Sequence, residues 1–352
     1  MALFKKIFGK NQNAAPKGYS EVIIKAIDRE TPEAVKVVLD KNTKFAPGQY
    51  LTFSIHIDGN EERRSYSICS GKDEPLAVAV KQVENGKVSS WFNQKAEAGT
   101  TIYCSEPEGN FCVPNEVKKI VAIAAGSGIT PILSIAKACE GTDRSLQLFY
   151  GNRTLESTLF KSEIEALKNT SCTYYFSGEN VENHASGRID KTAFSEVIKS
   201  NLDLLKSDGF FICGPEEMIV EIVEVLELFG VPKEKIHFEL FTTPVLMKSE
   251  EPVENTSFEG TSRVTVLIDG EKEHFELSSD GDSILDKANA EDLDVPYSCK
   301  GGVCSTCKAK VIKGKATMTM NYSLTDREVE EGYILTCQAH PASEEIIVTY
   351  DV

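Results

Sequence analysis

Four cysteines near the end of this chain carry its most specific chemical signal. Cys299, Cys304 and Cys307 stand in YSCKGGVCSTCKAKV, and Cys337 stands in YILTCQAHP. The spacing is Cys-x4-Cys-x2-Cys, closed by a fourth cysteine after 29 intervening residues. One loop and one distant residue hold a [2Fe-2S] cluster at this spacing. Two irons need four thiolates, and the loop must pass close around them with its amide N–H groups aimed at sulfur. Gly301, Gly302, Ser305 and Thr306 keep that loop free of bulk. A structural zinc would more often show two Cys-x2-Cys pairs, and only one is present. Disulfides would suit an oxidising compartment, to which nothing else in the sequence points.

A second group lies in the first third. Arg64-Ser65-Tyr66-Ser67 closes an alternating run, and GKVSSWF follows further on. Gly86, then Val88, Ser89 and Ser90 at a helix start, offer backbone N–H groups to a pyrophosphate, helped by the helix dipole. Arg64 can neutralise the same phosphates, and Tyr66 is flat enough to stack on an isoalloxazine ring. The plain alternative for the tetrapeptide is an amphipathic strand end.

A third group lies in the middle. IVAIAA runs into Gly126-Ser127-Gly128-Ile129-Thr130-Pro131. This falls short of a full G-x-G-x-x-G fingerprint, yet its glycines allow backbone to approach phosphate. Thr130 is placed to cap the following helix, and Pro131 suits its first position. FFICGPEEM sets Cys213, Gly214 and Pro215 at the end of a later strand, where a dinucleotide would lie.

The elements around these groups come in three styles. From Tyr19 to about Pro114, short alternating runs such as EAVKVVLD, YLTFSIHI and LAVAVKQV predict six strands of an antiparallel β-barrel, with one helix around Ser89 to Ala96. After Val117, strand and helix alternate, which predicts a parallel sheet covered by helices on both faces. Residues 242 to 261 are rich in Thr, Ser, Glu and Pro and suit a hydrophilic linker. The expected division is a tail at 1–17, a barrel at 18–115, an α/β domain at 116–241, a linker at 242–261 and a cluster domain at 262–352.

Composition excludes several classes. The 352 residues exceed what one core usually organises, and the net charge of −16 would be repelled by phosphate backbones, so nucleic-acid binding is not expected. Half of that charge lies in residues 262–352, with 17 acidic against 9 basic residues. No apolar run approaches the roughly 20 residues of a transmembrane helix. MALFKKIFGKNQNAAPKG lacks the long apolar stretch of a secretion signal and reads as a frayed tail, with weak membrane-surface contact as the second reading. A cytoplasmic location is expected.

RSYS, GKVSS, GSGITP, YGNR and CGPEEM, in that order, resemble the ferredoxin–NADP reductase superfamily. The C-terminal plant-type ferredoxin makes the chain similar to reductases of multicomponent oxygenases. Within that group, CKGGVCSTCKAKVIKGKATMTMNYSL and GYILTCQAHP most resemble the reductase subunits of bacterial ring-1,2-phenylacetyl-CoA epoxidases. The resemblance implies a β-grasp-like ferredoxin domain. It implies that Arg64, Tyr66 and Ser67 bind FAD, with Ser67 near flavin N5, and that Ala79, Val80 and Lys81 with Val88 to Ser90 hold flavin and diphosphate through backbone. Gly126, Ser127, Gly128, Thr130 and Pro131 would cradle the nicotinamide cofactor, and Cys213 would lie beside its ring, unless it is simply a buried strand-end cysteine. Gly214, Pro215 and Phe241 complete the implied cofactor contacts.

Reductases that prefer NADPH often carry Ser-Arg where this chain has Ser177-Gly178. Arg153 in YGNR and Arg188 in SGRID could supply the missing charge, or could be solvated surface residues. The balance leans slightly to NADPH. The implied activity is transfer of electrons from NAD(P)H through FAD and the cluster to an oxygenase component of the di-iron phenylacetyl-CoA epoxidase type. A Rieske-type or other oxygenase as acceptor, and a non-catalytic flavin and iron-sulfur redox sensor, are the alternatives.

Overall fold

The computed structural model describes residues 15–247 and 258–351. Most of the expected tail and the centre of the expected linker lie outside those residues.

Six antiparallel strands form the first unit: β1 (Ser20–Thr31), β2 (Ala34–Leu39), β3 (Tyr50–Ile57), β4 (Asn60–Ser67), β5 (Ala77–Lys81) and β6 (Thr101–Cys104), in the order β4-β3-β6-β1-β2-β5. A bridge between Ile68 and Val78 brings the two edges together and closes the barrel. Leu51, Phe53 and Ile55 of β3 point into its core with Val37, Val78 and Phe92. Alternation should leave the other face of β3 in water, but Tyr50, Thr52 and Ser54 are buried too. A second body of protein covers that face. Helix α1 (Lys87–Gln94) starts two residues before the stretch expected from sequence.

The second unit is a parallel sheet, β10 (Ala185–Ser186), β9 (Thr170–Phe176), β8 (Ser145–Asn152), β7 (Lys119–Ala125), β11 (Gly209–Cys213) and β12 (Ile236–Glu239), in that spatial order. Helices α2 (Ile129–Cys139) and α3 (Lys161–Ala166) cover one face, and that layer packs on the barrel through Ala34, Cys69, Ala77 and Ala79. Helices α4 (Lys191–Ser200) and α5 (Glu216–Leu228) cover the other. Parallel strands buried on both faces need continuous apolar runs, which IVAIAA and FFIC supply.

The third unit starts with the hairpin β13 (Thr261–Ile268) and β14 (Glu271–Ser278), turned by Asp269-Gly270, both at positive φ as a two-residue hairpin turn demands. Helix α6 (Ile284–Ala290), capped by Ser283, leads to the cysteine loop. Then come β15 (Lys308–Lys313), β16 (Ala316–Met318), α7 (Asp326–Glu330), β17 (Tyr333–Leu335), β18 (Ala339–Pro341) and β19 (Glu345–Thr349). The main sheet runs β14-β13-β19-β15-β17, with β13 and β19 parallel.

The ends of the expected tail and linker are tied down. The Lys17 amide donates to Asp294, and its ammonium pairs with Asp269. Residues Val245, Leu246 and Met247 donate their amides to the Glu216 carboxylate, and Tyr322 donates to the Met247 carbonyl.

Candidate functional site

The cysteine loop occupies the third unit where it meets the barrel. Among the described residues, no three His, Cys, Asp or Glu side chains converge as a single ion would require. The thiols instead pair two and two. Cys304 Sγ lies 3.1 Å from Cys299 Sγ, and Cys307 hydrogen-bonds to Cys337. Two irons with two thiolates each ask for this division, whereas a four-thiolate zinc would ask for one convergence. The hydrogen bond with Cys304 pulls the Cys299 thiol below the usual thiol range against the effect of burial, and the bond with Cys307 likewise lowers Cys337. The Gly301 amide donates to Cys299 Sγ, and Gln338 Nε2 approaches Cys337 Sγ at 3.8 Å. These residues fit a cluster of two irons.

On the barrel, Tyr66 lies edge-on to Phe92 with ring centroids 5.8 Å apart and tilted to Phe53 at 6.1 Å, a rigid aromatic platform. Arg64 is 52% exposed in its side chain, donates to the Arg63 carbonyl and pairs with Glu62. Val80 gives its carbonyl to Asn93, between Ala79 and Lys81 on the last strand of the sheet order. Gly86 precedes α1, and a Cβ there would meet Ser89 Oγ at 2.5 Å. Ser89 is held inward, donating to the Gly86 carbonyl and accepting from the Val83 amide. The Ser90 amide is already taken by the Gly86 carbonyl, so of the three expected N–H groups it is not open to a phosphate. Cys69 is buried and donates to the Ala77 carbonyl, which is packing.

In the parallel sheet, two expectations change. Residues Gly126–Gly128 form a 3-10 turn and α2 begins at Ile129, so Pro131 is its third residue. Thr130 does not cap: its hydroxyl donates to the Ser127 carbonyl, and Gly128 is the N-cap residue. The glycines also differ. A Cβ on Gly128 would lie 2.1 Å from the Cys213 carbonyl oxygen, so Gly128 serves the packing of two strand ends, while Gly126, at φ +53°, opens on free space. Gly214 is similarly closed in by Ala125 and Met218, and Pro215 precedes α5.

The carboxyl ends of β11 and β12 meet the end of β4. Cys213 and Glu239 are register partners, and Ser67 Oγ donates to Glu239 Oε2 at 3.1 Å. Glu239 keeps some exposed surface, but its carboxyl is enclosed, and burial raises it to about 8 against the lowering effect of the Ser67 bond. Burial raises the Cys213 thiol as well, with Glu239 adding to the effect. Sequence reasoning named Ser67 and Cys213 and missed Glu239. The available signal was a single carboxylate inside the otherwise apolar run IHFELF. Phe241, two residues on, is 44% exposed.

Arg153 and Ser177-Gly178 come together at the edge of β8 and β9, where the Gly178 amide donates to the Arg153 carbonyl. Arg188 is drawn elsewhere, to Glu217 at the start of α5, and its side chain is 78% exposed. A cleft of about 460 Å³ lies between barrel and third unit, bordered by Tyr19, Glu108, Ser305 and Thr306; it adjoins the cluster loop, and no residue of the Arg64–Ser67 strand end lines it.

Three family models match in chain order: an oxidoreductase FAD-binding domain at residues 27–112, an oxidoreductase NAD-binding domain at 122–224 and a 2Fe-2S iron-sulfur cluster binding domain at 266–342. The chain is 36% identical over 351 residues to a component of the 1,2-phenylacetyl-CoA epoxidase of Escherichia coli (strain K12), covering 95% of this chain and 98% of that protein. It is 31% identical over 323 residues to the ferredoxin reductase component of the 3-ketosteroid-9-alpha-monooxygenase of Mycobacterium tuberculosis (strain CDC 1551 / Oshkosh), covering 88% and 87%. Its fold is similar to that of phthalate dioxygenase reductase, with a TM-score of 0.59 at 24% identity over 96% of this chain and 100% of that one.

Proposed function

Since this chain belongs to the family of oxygenase reductase components with FAD-, NAD- and [2Fe-2S]-binding domains, we propose that its acceptor is a di-iron epoxidase of the phenylacetyl-CoA type. The protein is an NAD(P)H-dependent flavin and iron-sulfur oxidoreductase. When bound, FAD takes a hydride from the nicotinamide cofactor, and the cluster carries the electrons onward singly. The division at 115/116, 241/242 and 261/262 is part of the proposal.

The residue roles follow from placement. Ser67 and Cys213 wall the point where hydride crosses, with Glu239 joining them, and the burial of Ser67 and Cys213 excludes water. Tyr66 supplies a flat face to the flavin and Arg64 a positive charge for its diphosphate. Val80, with Val88 and Ser89 at the start of α1, lies along the same side of the barrel. Gly126 and Ser127 at the open turn, with Arg153 beside Ser177, receive the nicotinamide cofactor. Arg153 is the cation that would meet the 2′-phosphate of NADPH. Cys299, Cys304, Cys307 and Cys337 hold the cluster.

The observation that supports this order of transfer is that the cluster loop sits on the hairpin ending in Ser67. Anaerobic titration with NADH and with NADPH, followed by visible absorbance and electron paramagnetic resonance, tests it. Flavin bleaching followed by a reduced-cluster signal is expected; bleaching with no such signal would break the order. Turnover with a reconstituted phenylacetyl-CoA epoxidase but not with a Rieske oxygenase is expected for the acceptor, and the reverse would refute it.

A further inference from the structure

The buried outer face of the β3–β4 hairpin is a seat for the cluster loop. Register places Tyr50 opposite Ser67, Thr52 opposite Ser65 and Ser54 opposite Arg63, so all six share one face. Arg63, only 2% exposed, donates from Nη2 to Asp294 at 2.9 Å and from Nη1 to the Val295 carbonyl at 3.3 Å. Its guanidinium lies 4.6 Å from the Tyr297 ring and 5.3 Å from that of Tyr19. Glu61 fixes its Nε at 2.6 Å, and Ser54 in turn holds Glu61. Ser65 donates to Ser298 at 2.8 Å. On the far side of the loop, the Ser305 amide donates to the Tyr50 hydroxyl at 3.0 Å, and Thr52 bonds Thr306 at 3.2 Å.

The contacts therefore bracket the loop: residues 294–298 are gripped just before Cys299, and residues 305–306 just after Cys304. General electrostatics does not explain the seating, because residues 18–115 hold 14 acidic against 11 basic residues and residues 262–352 are also net acidic. The grip is short-range and specific.

We propose that Arg63 and Tyr50 are positioning residues for one-electron exit from the flavin, setting the flavin-to-cluster distance without a part in hydride entry. In each transfer one electron leaves the reduced flavin and converts one of the two ferric ions of the oxidised cluster to ferrous. The second follows after the acceptor has taken the first, and the proton of the hydride goes to solvent. The inference rests on the transfer order above. Moving the cluster loop away from the flavin slows this step, because the rate of electron transfer falls with the separation of the two centres.

The test uses the full-length holoenzyme, mixed anaerobically with NADH or NADPH. Flavin bleaching is read by absorbance, and cluster reduction by freeze-quench paramagnetic resonance. In Arg63→Gln and in Asp294→Asn, cluster reduction should slow several-fold, with iron, sulfide and flavin contents and the bleaching rate at wild-type levels. Arg63→Lys should restore part of the rate, and the double variant should be no slower than either single one, since both act through one contact. Tyr50→Phe, which removes one hydroxyl from the opposite anchor, should slow the same step less. Unaltered cluster reduction in Arg63→Gln and Tyr50→Phe overturns the inference, as does an equal slowing of bleaching and cluster reduction. Wild-type flavin that NAD(P)H does not bleach would refute the underlying transfer order instead.

Discussion

The Ser67 hydroxyl donates to the Glu239 carboxyl across 3.1 Å, joining the last residue of a barrel strand to the last residue of a strand in the parallel sheet. The FAD-binding and NAD-binding units thus share a hydrogen bond at the point proposed for hydride crossing. Cys213, register partner of Glu239, forms the adjoining wall. Ser67→Ala and Glu239→Gln should each slow flavin reduction by NAD(P)H about 10- to 100-fold, while the concentration giving half the maximal rate changes little. Stopped-flow absorbance measures both quantities.

Burial raises the Glu239 carboxyl to about 8. The folded chain therefore keeps a proton that the unfolded chain releases in the ordinary carboxylate range. The associated stability is fully present below that range and is lost as pH rises through about 8. Denaturant midpoints should fall more between about pH 5 and about pH 9 in the wild type than in Glu239→Gln.

The paired thiols predict a shared dependence. Cys304→Ser removes a ligand from one pair and Cys307→Ser from the other, and either should abolish the reduced-cluster resonance and lower cytochrome c reduction at least about 10-fold. The flavin spectrum should persist in both, because the flavin residues lie on the barrel. Loss of flavin together with the cluster would contradict the separation of the two sites.

The two glycines of the GSG turn should respond differently. In Gly128→Ala the new methyl would meet the Cys213 carbonyl oxygen at 2.1 Å, so at least about 3 kcal/mol of stability should be lost. Gly126→Ala meets no atom within 4 Å and bears only the penalty of its left-handed backbone, about 1 kcal/mol. Chemical denaturation of the two variants gives both values.

Acceptor reduction should weaken as salt rises. Residues 262–352 hold 17 acidic against 9 basic residues, so a basic patch on the acceptor is expected to dock by electrostatic attraction. Steady-state rates with the reconstituted oxygenase across a salt series check this, and a flat profile would exclude electrostatic docking.

Three parts of this protein were legible in the order of residues alone. The 2Fe-2S domain could be read because a loop wrapping two irons imposes a fixed local spacing on its cysteines. The barrel strands and the alternating sheet followed from hydrophobic periods of two and from strand–helix alternation, both local properties. Helix starts were less accurate: α1 begins at Lys87, and Thr130 and Pro131 sit differently at α2, because whether a turn or a helix takes the first residues depends on what packs against them.

Arg63 and Tyr50 were not legible, and Glu239 showed only as a lone carboxylate in IHFELF, for a common reason. In sequence each is an ordinary strand residue, and its importance arises from a partner far away in the chain: Ser67 for Glu239, Asp294 for Arg63, Ser305 for Tyr50. Gly128 looked like a phosphate cradle until the Cys213 carbonyl took its space. Residue order by itself determined which cofactors this chain can hold, since their ligands are bound to short-range spacing. Only the tertiary structure decided how the three units meet, since the contacts that seat them are long-range and leave no period or motif behind.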